Sequence, residues 1–554
     1  MESEIMLTRR SAVLGTAAAT ALMLLPTKRA WPATANVRPD AASSAGATMI
    51  DHYAAAVKAM QNPAINYPPQ PQSWTFQANM HAVPRNPFDP ANSGGLRGGS
   101  SDLKTRIDQI YGQPAANTPQ AAWKNAALQC WATCEHSSPY FTTWHRWYLY
   151  YFERICRKMS NQPDFVLPYW SYASDTGSSL QLPGPFRDLP QPPAPQNVLF
   201  FDDRGLGFAD GQATGAQNVA MNEGGFMPFS IAQYDRALAA KVMFPSDDQN
   251  NASFNPGDPA YQALGFTGRL ECVPHDMVHS YVGGWMQNVP SAAGDPIFYV
   301  HHCQIDRLYA SWEAQSGSSY NFGSSATQPD EHTWTNLKMG SYVDENGQLV
   351  KVKLGGAINT SALNYSYDKL APAATPELTA ALARARPATP LRVAAMEAPN
   401  FAVRSGGTTV TLAPGAALPA SPAPGNAPQG TTQTLVLKGI RLVRRPRAPL
   451  SVFINLPKGT APRLNDSYYV GTLNLFNFDL GTGVTMEHTD DAMPPGHKMA
   501  GPDARFDVTE VLQQQRAKGQ WDGGAITVTI STIGIDSAAA AITYLTIDGI
   551  GLVP

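Results

Sequence analysis

Three pairs of histidines set in apolar sequence constrain the fold of this chain more than any other feature. His136 and His145 lie nine positions apart, and an aromatic run over 146–158 follows the second of them, with charges only at intervals. That composition predicts a buried helix that carries His145 into a core. His275 and His279 stand at i and i+4, so a helix would present both rings on one face. We therefore expect several imidazoles inside one helical core.

The third pair is His301 and His302, in a further helix-like run over 295–307. Successive side chains of a helix point about 100° apart, so only one of these two rings can comfortably face a given metal ion. Asp306 and Arg307 follow, and they suit a structural ion pair. The residues alone leave open which of the two rings faces the site.

The sequence around the first and third pairs resembles the two signatures of the tyrosinase and polyphenol oxidase family. The residues that fill the first signature are His136, Phe141, His145, Arg146 and Glu153. Those that fill the second are Asp295, Pro296, Phe298, Tyr299, His302 and Asp306. The resemblance implies a mostly α-helical domain whose four-helix-bundle core holds two copper ions, each under three histidines.

The same resemblance implies the ligands of each copper. It assigns His81, His136 and His145 to the first ion, and His275, His279 and His302 to the second. His81 ends a predicted helix that Ser73 caps, and the family takes its first ligand from the end of such a helix. His52 is interpreted as a surface or packing residue, and His301 as a neighbour of the site. Imidazole suits copper in both oxidation states, and six histidines in two trios exceed a normal zinc site.

Cys134 precedes His136 by two positions. In the fungal branch of the family a cysteine at this place is bonded through sulfur to the second histidine, so the resemblance implies a thioether here. A free buried cysteine is the alternative.

Three further residues are assigned to catalysis through the resemblance. Glu271 matches the acidic residue that holds a water near the second copper, and Asp276 stands where many monophenol-hydroxylating members have Asn. Either could act as the base that removes the phenolic proton. Val289 matches the gate position over the mouth of the site, where a small aliphatic side chain leaves room for an aromatic ring.

The predicted function is oxidation of phenols and o-diphenols to o-quinones, with reduction of O₂ to water. Asp276 keeps open the alternative of a catechol oxidase that does not hydroxylate monophenols. A hemocyanin-like oxygen carrier is a second alternative. The expected partners are small phenols and O₂. A net charge of −3 lacks the excess of basic residues expected of a nucleic-acid-binding protein. A homo-oligomer is left open.

A second domain is predicted after the helical one. With 554 residues the chain exceeds the usual size of one domain. Residues 46–370 are assigned to the dicopper domain, closed by a Tyr-x-Tyr motif at Tyr365 and Tyr367, and residues 371–395 to a linker rich in Ala and Pro. Alternating strands from Thr434 onward predict an all-β sandwich or barrel, assigned to 396–554, which resembles the domain that shields the site in latent relatives.

Two segments of this β-rich domain receive specific hypotheses. An aromatic strand over 473–478 is expected to project an apolar side chain into the substrate position, as placeholders do in latent relatives. The polar loop that follows contains Met486, His488, His497 and Met499. This loop is interpreted as a plain surface loop, with contact to incoming copper as the alternative.

Residues 1–45 are interpreted as an export signal and leader. Arg9 and Arg10 precede an apolar run over 12–25, which is short for a membrane span of ~20 residues. The arginine pair favours the twin-arginine route, which carries folded proteins, and so an exported, periplasmic or secreted protein. A disordered N-terminal tail is the alternative. No other segment is long and apolar enough to be an integral membrane span.

Overall fold

The computed structural model describes residues 36–172, 177–187, 197–209, 218–227, 237–245, 253–255, 268–323, 328–373, 396–414, 433–463, 467–473, 475–476, 478, 503–533 and 542–553. The predicted export signal before residue 36, the linker from 374 to 395 and the polar loop with its Met and His residues lie outside this range. Within it, no helix has the length and apolar character that crossing a membrane requires.

The first part of the chain, residues 36–373, is a helical domain. Its longer helices are Ser44–Met60, Trp74–His81, Ser101–Tyr111, Pro119–Cys130, Phe141–Ser160 and Ile297–Glu313. Its shorter helices are Pro63–Asn66, Gly184–Arg187, Met277–Val282, Val289–Ala292 and Glu331–Asn336, and a π-helical turn spans Glu271–Asp276. Its strands, in two-stranded sheets, are Asn36–Arg38 with Tyr365–Tyr367, Val83–Pro84 with Gly95–Leu96, Leu206–Phe208 with Asn218–Ala220, and Met339–Val343 with Leu349–Lys353.

The helix Phe141–Ser160 is the centre of this domain. It packs against Ser44–Met60 on one side and against Ile297–Glu313 on the other. Its aromatic side chains are buried around most of its circumference, which is the condition under which a helix lacks a polar face. The predicted helix that carries His145 is therefore present, and it begins at Phe141.

A buried ion network joins the ends of the helical domain. Arg38 donates to Glu153 at 2.9 Å and to Asp306 at 3.1 Å, and Arg146 donates to Asp306 at 2.6 Å. The hydroxyls of Tyr365 and Tyr367 also donate to Asp306. Burial of these carboxylates is tolerated because each charge is paired and hydrogen-bonded.

The predicted start of the folded domain at residue 46 was too late. The strand Asn36–Arg38 pairs in parallel with Tyr365–Tyr367, and the Arg38 side chain is fully buried. A leader assigned on composition could not reveal this, because the partners of Arg38 are more than a hundred residues away in sequence. Residues 36–45 therefore belong to the fold.

The second part, residues 396–553, is a β domain of antiparallel strands, and its described residues include the helix Thr509–Ala517. One sheet has the order Tyr469–Leu473, Leu450–Ile454, Ile526–Thr532, Thr408–Pro414, Met396–Ala398, Gly549–Val553, Thr434–Lys438 and Ala504–Asp507. A second sheet has the order Phe401–Arg404, Thr543–Ile547 and Arg441–Leu442. The predicted class, a mostly helical domain followed by an all-β domain, is confirmed.

The β domain has its own apolar core, but three of the buried side chains described in it pack into the core of the helical domain instead. These are Phe453, Phe476 and Ile533. The two cores therefore meet, and the meeting point includes the centre described next.

Candidate metal centre

Two clusters of potential metal ligands form in the helical domain. Within the described part of the chain, one contains His81, Cys134, His136 and His145, and the other contains His275, His279, His301 and His302. In each cluster one ligand atom per residue lies within 4.8 Å of the others. All six histidines that the resemblance assigns to copper are thus brought together, three in each cluster.

In the first cluster, backbone carbonyls orient two of the rings. His81 Nδ1 lies 3.1 Å from the carbonyl oxygen of Val289, and His145 Nδ1 lies 2.8 Å from that of Phe141. A ring whose Nδ1–H donates to a carbonyl has its lone pair on Nε2, the arrangement usual for metal-bound histidine. His81 Nε2 is buried and has no hydrogen-bond partner among the described residues.

The third ring of the first cluster comes from a loop. The His136 ring lies 5.1 Å from that of His81 and 5.3 Å from that of His145, between centroids. Cys134 Sγ lies 3.5 Å from His136 Nδ1 and 3.9 Å from its Nε2. Both distances are too long for a covalent bond between the sulfur and the ring carbon that lies between the two nitrogens. The same sulfur lies 3.3 Å from His145 Nε2.

The second cluster is built on the π-helical turn and on the helices Met277–Val282 and Ile297–Glu313. His275 Nδ1 lies 2.7 Å from Asp276 Oδ1, and His279 Nδ1 lies 2.8 Å from the carbonyl of Met286. The π-helical turn gives way to an α-helix at Met277, yet the His275 and His279 rings stay adjacent, with centroids 4.6 Å apart. The expectation that both rings share a face holds across this change of helix type.

The donor atoms of the second cluster fit a metal ion. His279 Nε2 and His302 Nε2 lie 3.3 Å apart. Two nitrogens bound tetrahedrally at 2.0–2.1 Å from one ion are about 3.3 Å apart. His275 Nε2 is buried without a hydrogen-bond partner in the described structure. Imidazole sets of this kind suit copper, zinc, iron and nickel.

The two clusters adjoin. The rings of His145 and His302 stack with centroids 4.5 Å apart and planes 10° apart, and those of His136 and His275 lie 5.6 Å apart. Two ions held by these trios would therefore be neighbours, so that one small molecule could touch both.

Burial keeps the clustered imidazoles neutral. Desolvation lowers the pKa of His145 and of His301 to about 3, and it lowers the pKa of His81, His279 and His302 well below the usual value. A neutral imidazole retains the lone pair that a metal ion needs.

His301 lies beside the second cluster, as its interpretation as a neighbour requires. Its ring is fully buried, 4.8 Å from that of His279, and neither ring nitrogen has a hydrogen-bond partner among the residues described. Geometry alone therefore does not separate His301 from His302, and the choice between them continues to depend on the family signature.

The three residues assigned to catalysis lie around the clusters in different ways. Glu271 begins the π-helical turn and accepts a hydrogen bond of 2.7 Å from the backbone amide of Ser137, next to His136. Asp276 Oδ1 forms a hydrogen bond with His275 Nδ1. Val289 is buried, and its carbonyl orients His81, a role that side-chain type could not reveal.

Phe476 of the β domain covers the clusters. Its ring stacks on that of His279 at 3.9 Å and 18°, with edge contacts to His275 at 5.4 Å and His136 at 5.6 Å. The strand expected over 473–478 ends at Leu473, and Phe476 lies in a turn after it. The sequence indicated the segment and an apolar side chain, but it did not distinguish Phe476 from Phe478.

Comparisons with known proteins agree with this architecture. The family model "Common central domain of tyrosinase" matches residues 71–315, and "Domain of unknown function (DUF7868)" matches residues 394–551. Tyrosinase HcTyr1 of Hahella sp. (strain CCB-MM4) is 26% identical over 494 residues, which cover 86% of this chain and 91% of that protein. The chloroplastic polyphenol oxidase of Spinacia oleracea is 31% identical over 252 residues, 42% of this chain and 37% of that protein.

The chain thus spans well under half the length of the spinach relative. Among solved structures, a latent aurone synthase (polyphenol oxidase) is 20% identical with a TM-score of 0.47, covering 94% of this chain and 89% of that one. A latent apple tyrosinase is 21% identical with a TM-score of 0.46, covering 94% and 97%. Residues 71–315 of this chain thus match the common central domain of tyrosinase, and the chain as a whole is similar to a bacterial tyrosinase.

Proposed function

We propose that the chain oxidises phenols and o-diphenols to o-quinones with O₂ at a pair of copper ions. The proposed ligands are His81, His136 and His145 for the first ion and His275, His279 and His302 for the second. The observation that carries this proposal is the contact between two trios of buried imidazoles, with the rings of His145 and His302 stacked at 4.5 Å. Bound copper would supply reduction of O₂ and a Lewis-acidic position for a phenol oxygen.

The residues around the ions would bind and orient the substrate. Phe476 stacks on His279 at 3.9 Å, so the position of its ring is one that a phenol could take with the same contacts. Aromatic stacking of this kind contributes ~0.5–1.5 kcal/mol beyond the area buried. The face of His279 is accordingly the proposed platform for the substrate ring.

Proton removal is the step that separates monophenol hydroxylation from diphenol oxidation. Glu271 is the proposed base, acting through a water, because its carboxylate accepts from the amide of Ser137, next to His136, and it begins the turn that carries His275. The bond from His275 Nδ1 occupies Asp276 Oδ1, which favours a role for Asp276 in orienting His275. This second observation supports the alternative function, a catechol oxidase that does not hydroxylate monophenols.

The protein as described has the arrangement expected of a latent enzyme, because Phe476 occupies the proposed substrate position.

We also propose the thioether between Cys134 Sγ and the ring carbon of His136. Its formation removes one hydrogen from sulfur and one from carbon, and O₂ accepts the two electrons and two protons. The export route proposed from Arg9 and Arg10 concerns residues outside those described.

Oxygen uptake with tyrosine and with DOPA, on copper-loaded full-length Phe476→Ala protein, tests the function. We expect two coppers per chain, rapid uptake with DOPA and slower uptake with tyrosine after a lag. Uptake with DOPA alone would leave the catechol oxidase. Two bound coppers with no uptake on either substrate would refute oxidation and favour an oxygen carrier.

A further inference from the structure

Arg445 of the β domain contacts both the segment that covers the metal centre and the loop beside it. Its guanidinium donates to the carbonyl oxygens of Leu475 at 2.9 Å and Phe478 at 2.5 Å, on either side of Phe476. It also donates to the carbonyl of Gln287 at 2.7 Å and to Asn288 Oδ1 at 2.7 Å. Two of these acceptors belong to the β domain and two to the helical domain.

The arginine is buried, although its neighbour in sequence is not. Arg445 is 8% exposed, whereas Arg444 is an exposed residue. Burial of a guanidinium is costly unless its N–H donors are hydrogen-bonded. Its four acceptors, on Gln287, Asn288, Leu475 and Phe478, are carbonyl oxygens that would also lose their contact with water. The site is therefore built for a planar group with several donors in a fork, which lysine cannot replace.

Asn288, which Arg445 contacts, precedes the residue that orients a histidine of the first cluster. The Asn288 side chain donates to the carbonyls of Pro90 at 2.8 Å and Ser93 at 3.2 Å. The next residue, Val289, supplies the carbonyl that orients His81 Nδ1 at 3.1 Å. Arg445, Asn288 and Val289 thus form a continuous path from the β domain to a proposed copper ligand.

We propose that Arg445 is a positioning residue that holds Phe476 over the metal centre and, through Asn288, holds the loop that orients His81. This inference rests on the proposed function. When the Arg445 contacts break, the Phe476 segment and the 287–289 loop are released together, so substrate access and the setting of the first metal site change in one event. Arg445 acts through other residues, the 475–478 segment and the 287–288 loop, to which its guanidinium donates.

The test uses full-length, copper-loaded protein and a catechol as substrate. We expect Arg445→Met to raise the rate of oxidation about tenfold over the wild type, since loss of even one hydrogen bond to a charged group has about that effect on an equilibrium. Arg444→Met is the matched control, and its rate should equal that of the wild type. Arg445→Lys, which keeps the charge but not the fork, should give an intermediate rate and covers the case in which Arg445→Met does not fold.

The loss of copper to a chelator tests the effect of Arg445 on the 287–289 loop separately from its effect on the Phe476 segment. In the Phe476→Ala background the centre is already uncovered, so adding Arg445→Met cannot act by uncovering it. We expect the double variant to lose one of its two coppers to a chelator several-fold faster than Phe476→Ala alone. Equal loss of copper would refute the connection to His81.

The outcomes also separate this inference from the proposed function. If Phe476→Ala oxidises catechol rapidly while Arg445→Met and Arg445→Lys remain as slow as the wild type, the positioning role is refuted and the function stands. If Phe476→Ala carries two coppers and oxidises no diphenol, the proposed function itself fails. Faster chelator loss in the double variant would then still support the structural connection.

Discussion

Replacement of Phe476 by alanine should lower stability and raise activity in the same protein. The ring is fully buried and stacks on His279 at 3.9 Å. Truncation of a buried phenylalanine costs ~3–5 kcal/mol. The lower end applies here, because the space left behind is lined by polar imidazoles and can hydrate. We expect the free energy of unfolding of the β domain to fall by about 3 kcal/mol.

The burial of the Phe476 ring also sets the gain in activity. Burial of a phenylalanine side chain favours the covered state by ~1.5–3 kcal/mol, and each 1.4 kcal/mol corresponds to about a factor of ten in an equilibrium. The rate of catechol oxidation by the full chain should therefore rise about 10- to 100-fold. Oxygen uptake at equal copper content measures the rate, and thermal or urea unfolding measures the stability.

Phe453→Ala is the matched control for general loosening between the domains. Phe453 is also a fully buried phenylalanine of the β domain, and it also packs into the helical core. Its ring partner is Tyr469, at 5.7 Å. It should lose similar stability and gain little activity. Equal activation by Phe453→Ala, or a Phe476→Ala protein that is destabilised yet still latent, would refute the reasoning.

Four further outcomes are expected. His302→Ala should retain about one copper per chain and His301→Ala two, as measured by metal analysis; the reverse result would transfer the ligand assignment to His301. Asp306→Ala should cost ~3–5 kcal/mol of unfolding free energy, because it leaves buried arginines unpaired, whereas removal of an exposed ion-pair partner by Asp548→Ala should cost under ~1 kcal/mol. Burial alone would raise the pKa of Asp306, but Arg146 and Arg38 lower it below 3.8. The contribution of the ionised Asp306 to stability is therefore full above about pH 4 and is lost as the pH falls through the lowered pKa. Acid unfolding of the wild type that begins well above pH 5 would have another cause. The intact mass of active protein should be lower by two hydrogen atoms if Cys134 forms the thioether, and an alkylatable Cys134 in that protein would exclude the bond.

Local sequence was sufficient to predict the elements that carry the proposed ligands. Ser73 caps the helix that ends at His81, since its side chain accepts a hydrogen bond from the amide of Phe76. The aromatic run after His145 forms the buried helix, and the alternating segments after residue 434 form strands. These features depend on neighbours a few residues away, so period and capping residues are enough to predict them.

The boundary at residue 46 and the identity of the covering side chain could not be obtained in this way. Arg38 is buried because Glu153 and Asp306 lie around it, and no local pattern distinguishes it from a solvated leader arginine. Residues 476 and 478 are both phenylalanines with similar neighbours in sequence, yet of the two only Phe476 is fully buried against the histidines.

By itself, then, the sequence indicated the resemblance to tyrosinases, the two-domain order and the six histidines that come together, because residue types at short spacings carry that information. The tertiary structure alone decided what surrounds those histidines: the Val289 carbonyl on His81, the Asp276 carboxylate on His275, the Phe476 ring over His279, and the Arg445 fork between the domains. Each of these contacts, apart from that between the adjacent residues His275 and Asp276, joins groups far apart along the chain. Such contacts arise from the packing of whole elements, whose relative positions are set by the summed burial of both cores and not by any local run of residues.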